Sequence, residues 1–593
     1  MYGIPQNQIV DGYKLGHIGQ YIEGTTSVLA NATPRSDRLA NVLREHFDGK
    51  MVNFGIEMVA QILFKQWEDT FFSQPKEEVM AAFSRRVKNY IGGDHGDQQI
   101  EAMGNLHDLG FLPVEIRALP EGAKVNMGVP VFTVRNTVPE FYWVTNYCET
   151  FLSTMYWPMA NAATVTEQYY KTSAYWAEIS GAPKEWVAIA NHCFAGRGHR
   201  GQEDGLISGM AHLLFGIGTD TLWAIDGLEK FYGADSDKEC IGVSVNAFEH
   251  ATATQRIAYY RNNLGYNNFP LEAEVESLRD IFTRVYPTGI VSYVADSEDL
   301  FGLLETGLPL VKDEILARKP DSWGLCKTVF RPDSSPKTPL EVIVGDVDYV
   351  FEDMDDAQGM MQDFHTGMAS EGCEGTHNCG DNSYESTVKV GDKYYSVVTR
   401  FEYNRHDKMY YYIDCYGDDG IPKFTEIEAT AEMKGALQLL WETFGGTTNE
   451  KGLRLINPLV GLIYGEAIHP QMQWDIYSRM VAEGWCVSNV LMGTGSWGFL
   501  KDASRDSYSI AIKGTHSIVN GEGVSMQKNP KTAQGSKKSA KGLLRVTREG
   551  DDYKLWDNQT EEQALTGELE VIARNSKMIR QTVLAEIRES LQG

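Results

Sequence analysis

Several polar side chains stand where a short apolar run gives way to a helical pattern, and their types define the chemistry open to the chain. Asp220, Asp296 and Asp333 could accept hydrogen bonds from ligand hydroxyls or amides, or hold Mg2+ through water. Arg197, Arg331 and Arg505 offer planar guanidinium forks that suit a phosphate or a carbonyl oxygen. Gly493-Thr494-Gly495-Ser496, followed by a helix-like stretch at 497–501, has the make-up of a phosphate cradle at a helix N-terminus. His250 beside Glu249 could serve as a general base or take up a phosphoryl group. Phe194, in His192-Cys193-Phe194-Ala195-Gly196-Arg197, and Tyr13, in Asp11-Gly12-Tyr13-Lys14, could stack on a planar ring. Each has an ordinary structural reading as well. An Asp before a helix is commonly an N-cap, a glycine commonly makes a tight turn, and a single aromatic commonly packs in a core. Their shared position is what favours function.

That position follows from the elements around them. Between about 200 and 500 a pattern recurs in which an apolar run ends in Gly, Ser, Asp or His and a helical pattern follows. The runs are 213–217, 241–247, 290–295, 328–330, 459–464 and 487–492. Continuous apolar runs suit strands buried on both faces. With helix-like crossovers at 251–263, 298–305 and 471–484, they predict a parallel sheet, open or closed. In such sheets the ligand site lies beyond the carboxyl ends of the strands, where the residues above are found. Upstream, helical periodicity fits 55–72 and 76–90. The stretch 114–134 reads as two β segments around Leu119-Pro120-Glu121-Gly122.

Two segments depart from this rhythm. Residues 338–388 hold twelve Asp/Glu and no Lys or Arg, and 384–415 alternates with Tyr and Val around Gly391-Asp392, as antiparallel hairpins do. We read 345–428 as an inserted acidic β subdomain. Its charge suits a solvated face better than a Ca2+ site, since no EF-hand spacing is present. Cys373, His377 and Cys379 lack the second ligand pair of a zinc site. By contrast, 523–548 holds seven Lys/Arg and no acid, so its lysines, Lys528, Lys531, Lys537, Lys538 and Lys541, are candidates for an anion-binding loop.

The whole chain has 593 residues, with 54 Lys+Arg against 81 Asp+Glu and a net charge of −27. Apolar residues at 42% and charged residues at 23% exclude a disordered polymer. The negative charge argues against nucleic acid and membrane surfaces as partners. No run reaches the length of a transmembrane span, the first residues lack the segments of a signal peptide, and eight cysteines are sparse and scattered. A cytoplasmic protein is expected.

Taken in order, the motifs resemble the nicotinamide phosphoribosyltransferase family. They are Asp11-Gly12-Tyr13-Lys14, Ala118-Leu119-Pro120-Glu121-Gly122, Glu140-Phe141-Tyr142-Trp143-Val144-Thr145-Asn146, Gly218-Thr219-Asp220-Thr221, the segment 244–250, Asp296-Ser297, Arg331-Pro332-Asp333-Ser334, the segment 493–498 and Arg505-Asp506. The resemblance implies a type II phosphoribosyltransferase fold: an irregular α/β barrel-like catalytic domain (151–510), and a mostly β domain formed by 1–150 with 510–593. It implies transfer of phosphoribosyl from 5-phosphoribosyl 1-pyrophosphate to nicotinamide, with Mg2+ as cofactor, ATP as co-substrate and a homodimer with shared active sites. Phe194 and the partner's Tyr13 would stack on the pyridine, Asp220 would accept from the carboxamide, Arg331 would lie near its oxygen, and Ser244 and Arg197 would line the site. Asp333 and Glu466, beside Gly465, would contact the ribose, Glu466 standing where the family has Asp. Gly495, Ser496, Arg505 and Lys513 would bind the ribose phosphate, and Arg35, Lys537 and Lys541 would reach phosphate or pyrophosphate from the partner subunit. His250 would be phosphorylated by ATP, with Glu249 orienting it, and Asp296 completes the catalytic set. Metal ligands are left unassigned. Where the family has an arginine four residues before the ribose-binding glycine, this chain has Gly461. Two other readings stand beside this one: a nicotinate phosphoribosyltransferase, and a non-catalytic binding or signalling protein on the same scaffold.

Overall fold

The computed structural model describes residues 3–91, 96–333, 336–371, 382–404, 406, 409–412, 422–529 and 538–592. Seven short strands form the parallel sheet that the repeated pattern predicts: β1 (Asn191–Cys193), β2 (Gly218–Thr219), β3 (Asn246–Ala247), β4 (Gly289–Val294), β5 (Cys326–Arg331), β6 (Val460–Tyr464) and β7 (Val490–Thr494). Their ladders are all parallel and run β2-β1-β7-β6-β5-β4-β3. A parallel bridge from Gly218 to Val243, just ahead of β3, joins the two edges. Its bonds are Thr219 N–H to Val243 O at 2.9 Å and Val243 N–H to Ile217 O at 2.7 Å. The sheet therefore closes on itself, with its strands in chain order around the ring, which is the irregular α/β barrel expected.

Two expectations about the strands need correction. The run 213–217 is not a strand: it follows the helix Gln202–His212, and only Gly218–Thr219 pairs. A short apolar run cannot by itself separate a strand from a buried helix end. Conversely, β1 has the polar sequence Asn-His-Cys, and no apolar run announces it.

Alternate residues on the barrel strands face outward onto helices. Val460, Leu462 and Tyr464 of β6, for example, join the cluster that holds Leu437, Leu440, Ile476 and Met480. A second cluster lies under a seven-stranded antiparallel sheet built from both ends of the chain: Thr25–Thr33, Val114–Ala118 and Phe132–Asn136 with Ala511–Val519, Glu522–Ser525, Glu570–Arg574 and Lys577–Met578. The helix Glu149–Ser180 links the two clusters. Its 32 residues span about 48 Å. Phe151, Tyr156 and Met159 on its first half enter the antiparallel core, and Val165, Tyr169 and Ala177 on its second half enter the barrel core.

The acidic segment leaves the barrel between β5 and β6. Gly345 and Gly435, at φ 124° and 73°, stand back to back: a Cβ on Gly345 would run into Met433 O, and one on Gly435 into Gly345 N, both severe overlaps with backbone. Glycine at both points lets the chain exit and return at one place, so the barrel helices Pro339–Val344 and Ala431–Phe444 still pack together. The excursion carries the expected hairpin, Asn382–Val390 paired with Lys393–Asn404 through the Gly391-Asp392 turn. It also carries a helix, Met354–Glu371, that β-patterning does not announce. Lys389 of the hairpin docks on the barrel through Glu483, Nζ to Oε2 at 2.6 Å, while Arg479 Nε holds the other oxygen at 2.5 Å.

Candidate active site

Every barrel strand delivers a candidate residue to the same rim. Phe194 follows β1, Asp220 follows β2, and Phe248, Glu249 and His250 follow β3. Asp296 follows β4, Arg331 ends β5 with Asp333 two residues on, Gly465 and Glu466 follow β6, and Gly495 and Ser496 follow β7. A closed parallel barrel makes this necessary, because all carboxyl ends point one way.

Phe194 lies across two glycines on neighbouring strands. A Cβ on Gly465 would meet the ring Cε1 at 2.5 Å, and one on Gly493 would meet the same atom at 2.5 Å. Real carbon contacts need about 3.5–4.0 Å, so only glycine leaves the ring in this place. Beside it, Asp220 accepts hydrogen bonds at both oxygens: Ser244 Oγ donates to Oδ1 at 2.5 Å, and His192 Nε2 lies 3.2 Å from Oδ2. Burial pushes the Asp220 carboxyl up, but the His192 and Ser244 bonds outweigh it and hold its pKa below the ordinary value. Across the rim, Arg331 donates from Nη2 to Phe248 O at 3.0 Å, and its Nε lies 3.8 Å from Asp333 Oδ1.

His250 opens the helix His250–Asn262 with its ring between two carboxylates. Nε2 is 3.3 Å from Asp296 Oδ1, and Nδ1 is 3.7 Å from Asp333 Oδ2. Asp296 is 5% exposed. The buried hydroxyls of Ser297 and Tyr464 have no hydrogen-bond partner among the described residues. Burial raises the Tyr464 phenol, and the nearby Glu466, Asp296 and Asp333 raise it further. Glu249 does not orient His250 as expected. Its carboxylate lies 4.0 Å from Arg197 Nη1, and no contact among the described residues joins it to the imidazole. At a strand-to-helix junction neighbouring side chains diverge, so Asp296 and Asp333 take that place.

The remaining candidates form a second group. Arg35, Arg505, Lys513 and Lys528 act on one another electrostatically along the edge of the antiparallel sheet. Burial lowers the pKa of Lys513 and Arg35, and their cationic neighbours lower both further. Tyr13, 67% exposed, is close enough to Arg505 and Glu149 to feel both charges. None of the hydrogen bonds, ion pairs or ring contacts of the described residues joins this group to Phe194, Asp220 or His250. Thus Arg505 and Lys513 stand with Arg35. Ser496 Oγ lies against Gly198. Lys541 is anchored by its backbone to Asp557 and Asn558. Lys537, Lys531, Cys373, His377 and Cys379 lie outside the described residues.

With this geometry the chain can be set beside known proteins. The nicotinate phosphoribosyltransferase (NAPRTase) family matches residues 417–570. Over 583 residues the chain is 36% identical to a nicotinamide phosphoribosyltransferase of Acinetobacter baylyi, covering 98% of this chain and 96% of that one. The chain belongs to the nicotinamide phosphoribosyltransferase family. A relative of the same name from Xanthomonas campestris is 24% identical, over 81% of this chain and 79% of its own length. Among solved structures, human nicotinic acid phosphoribosyltransferase aligns with 98% of this chain and 92% of its own at 13% identity and a TM-score of 0.44.

Family membership makes the departures informative. At Gly461, where the resemblance implies an arginine, a Cβ would meet Lys327 Cδ at 3.2 Å, with Nζ 3.6 Å away. Lys327 sits on the neighbouring strand β5, and burial lowers its pKa. It thus brings a cation to the space that Gly461 leaves. Sequence reasoning missed Lys327, and it missed His192 as a partner of Asp220. The signal for His192 was its place two residues before Phe194, once β1 was known to be a strand.

Proposed function

We propose that the chain transfers phosphoribosyl from 5-phosphoribosyl 1-pyrophosphate to nicotinamide, giving nicotinamide mononucleotide and pyrophosphate in NAD salvage. Asp220 carries this reading: an ionised carboxylate beside a flat-lying phenyl ring accepts from an amide NH2 and repels a second carboxylate. The 36% identity to the Acinetobacter relative supports it. In this reading the pyridine stacks on Phe194, its NH2 donates to Asp220, and its carbonyl accepts from Arg331. The ring nitrogen attacks C1 of the ribose as the C1–O bond to pyrophosphate breaks, and the bonding pair leaves with pyrophosphate. The nitrogen carries no proton, so no general base is needed, and in-line positioning supplies much of the rate.

Asp333 and Glu466 would hold the ribose hydroxyls, and Gly495 and Ser496 the phosphate. The carboxylates of Asp296 and Asp333 suit Mg2+, which takes oxygen ligands and commonly uses one or two carboxylates together with substrate phosphates. No larger ligand cluster occurs among the described residues. Bound there, Mg2+ would neutralise charge on the pyrophosphate. We further propose a homodimer with shared sites, supported by the exposure of Tyr13. ATP would phosphorylate His250, whose flanking carboxylates stabilise the imidazolium. The free thiols of Cys148, Cys193, Cys240, Cys326 and Cys486 support a cytoplasmic setting, and no helix among the described residues is long and apolar enough to cross a membrane.

The match to the nicotinate family over 417–570 favours a second reading, with nicotinate as acceptor. One assay separates the two. Purified protein is given either pyridine with the phosphoribosyl donor and Mg2+, and mononucleotides are quantified by chromatography. Product from nicotinamide is expected, with nicotinate turned over slowly and improved by Asp220→Asn. No product from either pyridine would refute the enzyme reading, and equal turnover would refute selection by Asp220.

A further inference from the structure

Asp220 does not meet its ligand as an isolated carboxylate. Both oxygens already accept a hydrogen bond, one from a hydroxyl that does not titrate and one from an imidazole that can. We infer that His192 sets the charge Asp220 presents to the pyridine substituent, and so governs selection of the amide over the carboxylate. The inference rests on the proposed pyridine transfer and adds a specificity-determining residue to it.

The reasoning is electrostatic. With neutral His192 donating one N–H, the pair carries one negative charge and an incoming carboxylate is repelled. With protonated His192 the pair is neutral, and the repulsion that excludes nicotinate is lost. Nicotinamide is affected far less, because each oxygen of Asp220 keeps a lone pair for the amide NH2 in both states. Ser244 donates equally in both. The imidazole is 15% exposed, enclosed by its own strand and by Gly218, on which a Cβ would meet its Nδ1 at 2.9 Å. A proton on it acts on Asp220 at 3.2 Å, partly screened by the water that reaches that 45%-exposed carboxylate.

The other groups facing this pair do not change charge near neutral pH. His212, on the helix after β1, is held neutral by burial, its pKa pushed down to about 3, and its Nε2 lies 2.9 Å from Gly218 O. Tyr170, from the long helix, contacts His212 and is raised by burial. Cys193, next along β1, is raised by burial too. Arg331, from β5, acts on Asp220 as a permanent cation. Imidazole is the side chain that ordinarily titrates between pH 5 and 8.

A competition assay tests this. Nicotinamide and nicotinate are mixed in one reaction with the phosphoribosyl donor and Mg2+, and the ratio of products gives the ratio of kcat/KM. Titrations common to both reactions, of the donor's phosphates or of His250, cancel in that ratio. In the wild type the preference for the amide should climb with pH, by up to about tenfold per unit, within the range of pH 5 to 8 where an imidazole ordinarily changes charge. His192→Gln keeps a neutral N–H donor and should make the preference independent of pH. Ser244→Ala, which removes the donor that does not titrate, should change the level of preference and keep its slope. A wild-type ratio that does not move with pH would overturn the inference, as would a His192→Gln ratio that moves as the wild type does. Failure to form nicotinamide mononucleotide at any pH is a separate result, and it would sink the proposed function itself.

Discussion

Replacing Gly493 by alanine tests whether the placement of the Phe194 ring controls pyridine binding. The new Cβ would lie 2.5 Å from Phe194 Cε1 and 2.8 Å from Gly465 Cα. Carbon atoms settle at about 3.5–4.0 Å, so roughly 1 Å of displacement is required. Gly465 is barrel backbone and can give little, which leaves the phenyl ring to move. Overpacking of this kind costs about 1–3 kcal/mol, and at about 1.4 kcal/mol per tenfold the loss in kcat/KM for nicotinamide is about 5- to 150-fold. The KM for nicotinamide should rise while that for the phosphoribosyl donor stays within about twofold, since the clash touches only the ring side of the site. Initial rates over a grid of both substrates, with thermal unfolding as a check on the fold, measure this. In a Phe194→Leu background the clash with the ring is removed and only that with Gly465 Cα remains, so Gly493→Ala should cost clearly less in kcat/KM than it does in the wild type. An unchanged nicotinamide KM in a folded Gly493→Ala protein would refute the reasoning, and so would an equal penalty in both backgrounds.

His250→Ala should abolish stimulation by ATP and retain basal transfer; stimulation surviving in the variant would remove the phosphohistidine role. Burial pushes the pKa of Glu274 from its ordinary 4.5 up to about 7, while its bond from the Tyr293 hydroxyl pulls the other way. The folded chain therefore keeps a proton that the unfolded chain releases, and the contribution of Glu274 to stability is complete below about pH 4.5 and lost as pH rises through about 7. Glu274→Gln should consequently gain about 3 kcal/mol relative to the wild type between those two conditions, read from urea unfolding; an equal difference at both pH values would contradict it. Lys389→Ala leaves Glu483 buried with one partner fewer. It should cost about 3 kcal/mol and speed hydrogen exchange in the strands Asn382–Val390 and Lys393–Asn404; unchanged exchange would show that the ion pair does not hold the insertion.

Much of the rim was legible in the sequence because parallel strands buried on both faces must be apolar, and whatever follows them must sit at one end. That rule placed Asp220, Asp296, Asp333, Arg331, His250 and Gly495 without coordinates, and the helices 55–72 and 76–90 and the Gly391-Asp392 hairpin followed from local periodicity and turn chemistry. Strand β1 escaped because its three residues are too few and too polar to carry a periodic signal, and the closing bridge from Gly218 to Val243 escaped because pairing partners far apart in sequence leave no local trace. Only the tertiary structure decided who touches whom: His192 and Ser244 on Asp220, Asp296 and Asp333 around His250 where Glu249 was expected, Lys327 over Gly461, and Arg505 beside Arg35. Composition and spacing determine which elements form and which side chains they end in, since those depend on neighbours in the chain. Which of those side chains share a charge or a proton depends on distances of about 3 Å across different strands, and these exist only once the sheet has closed.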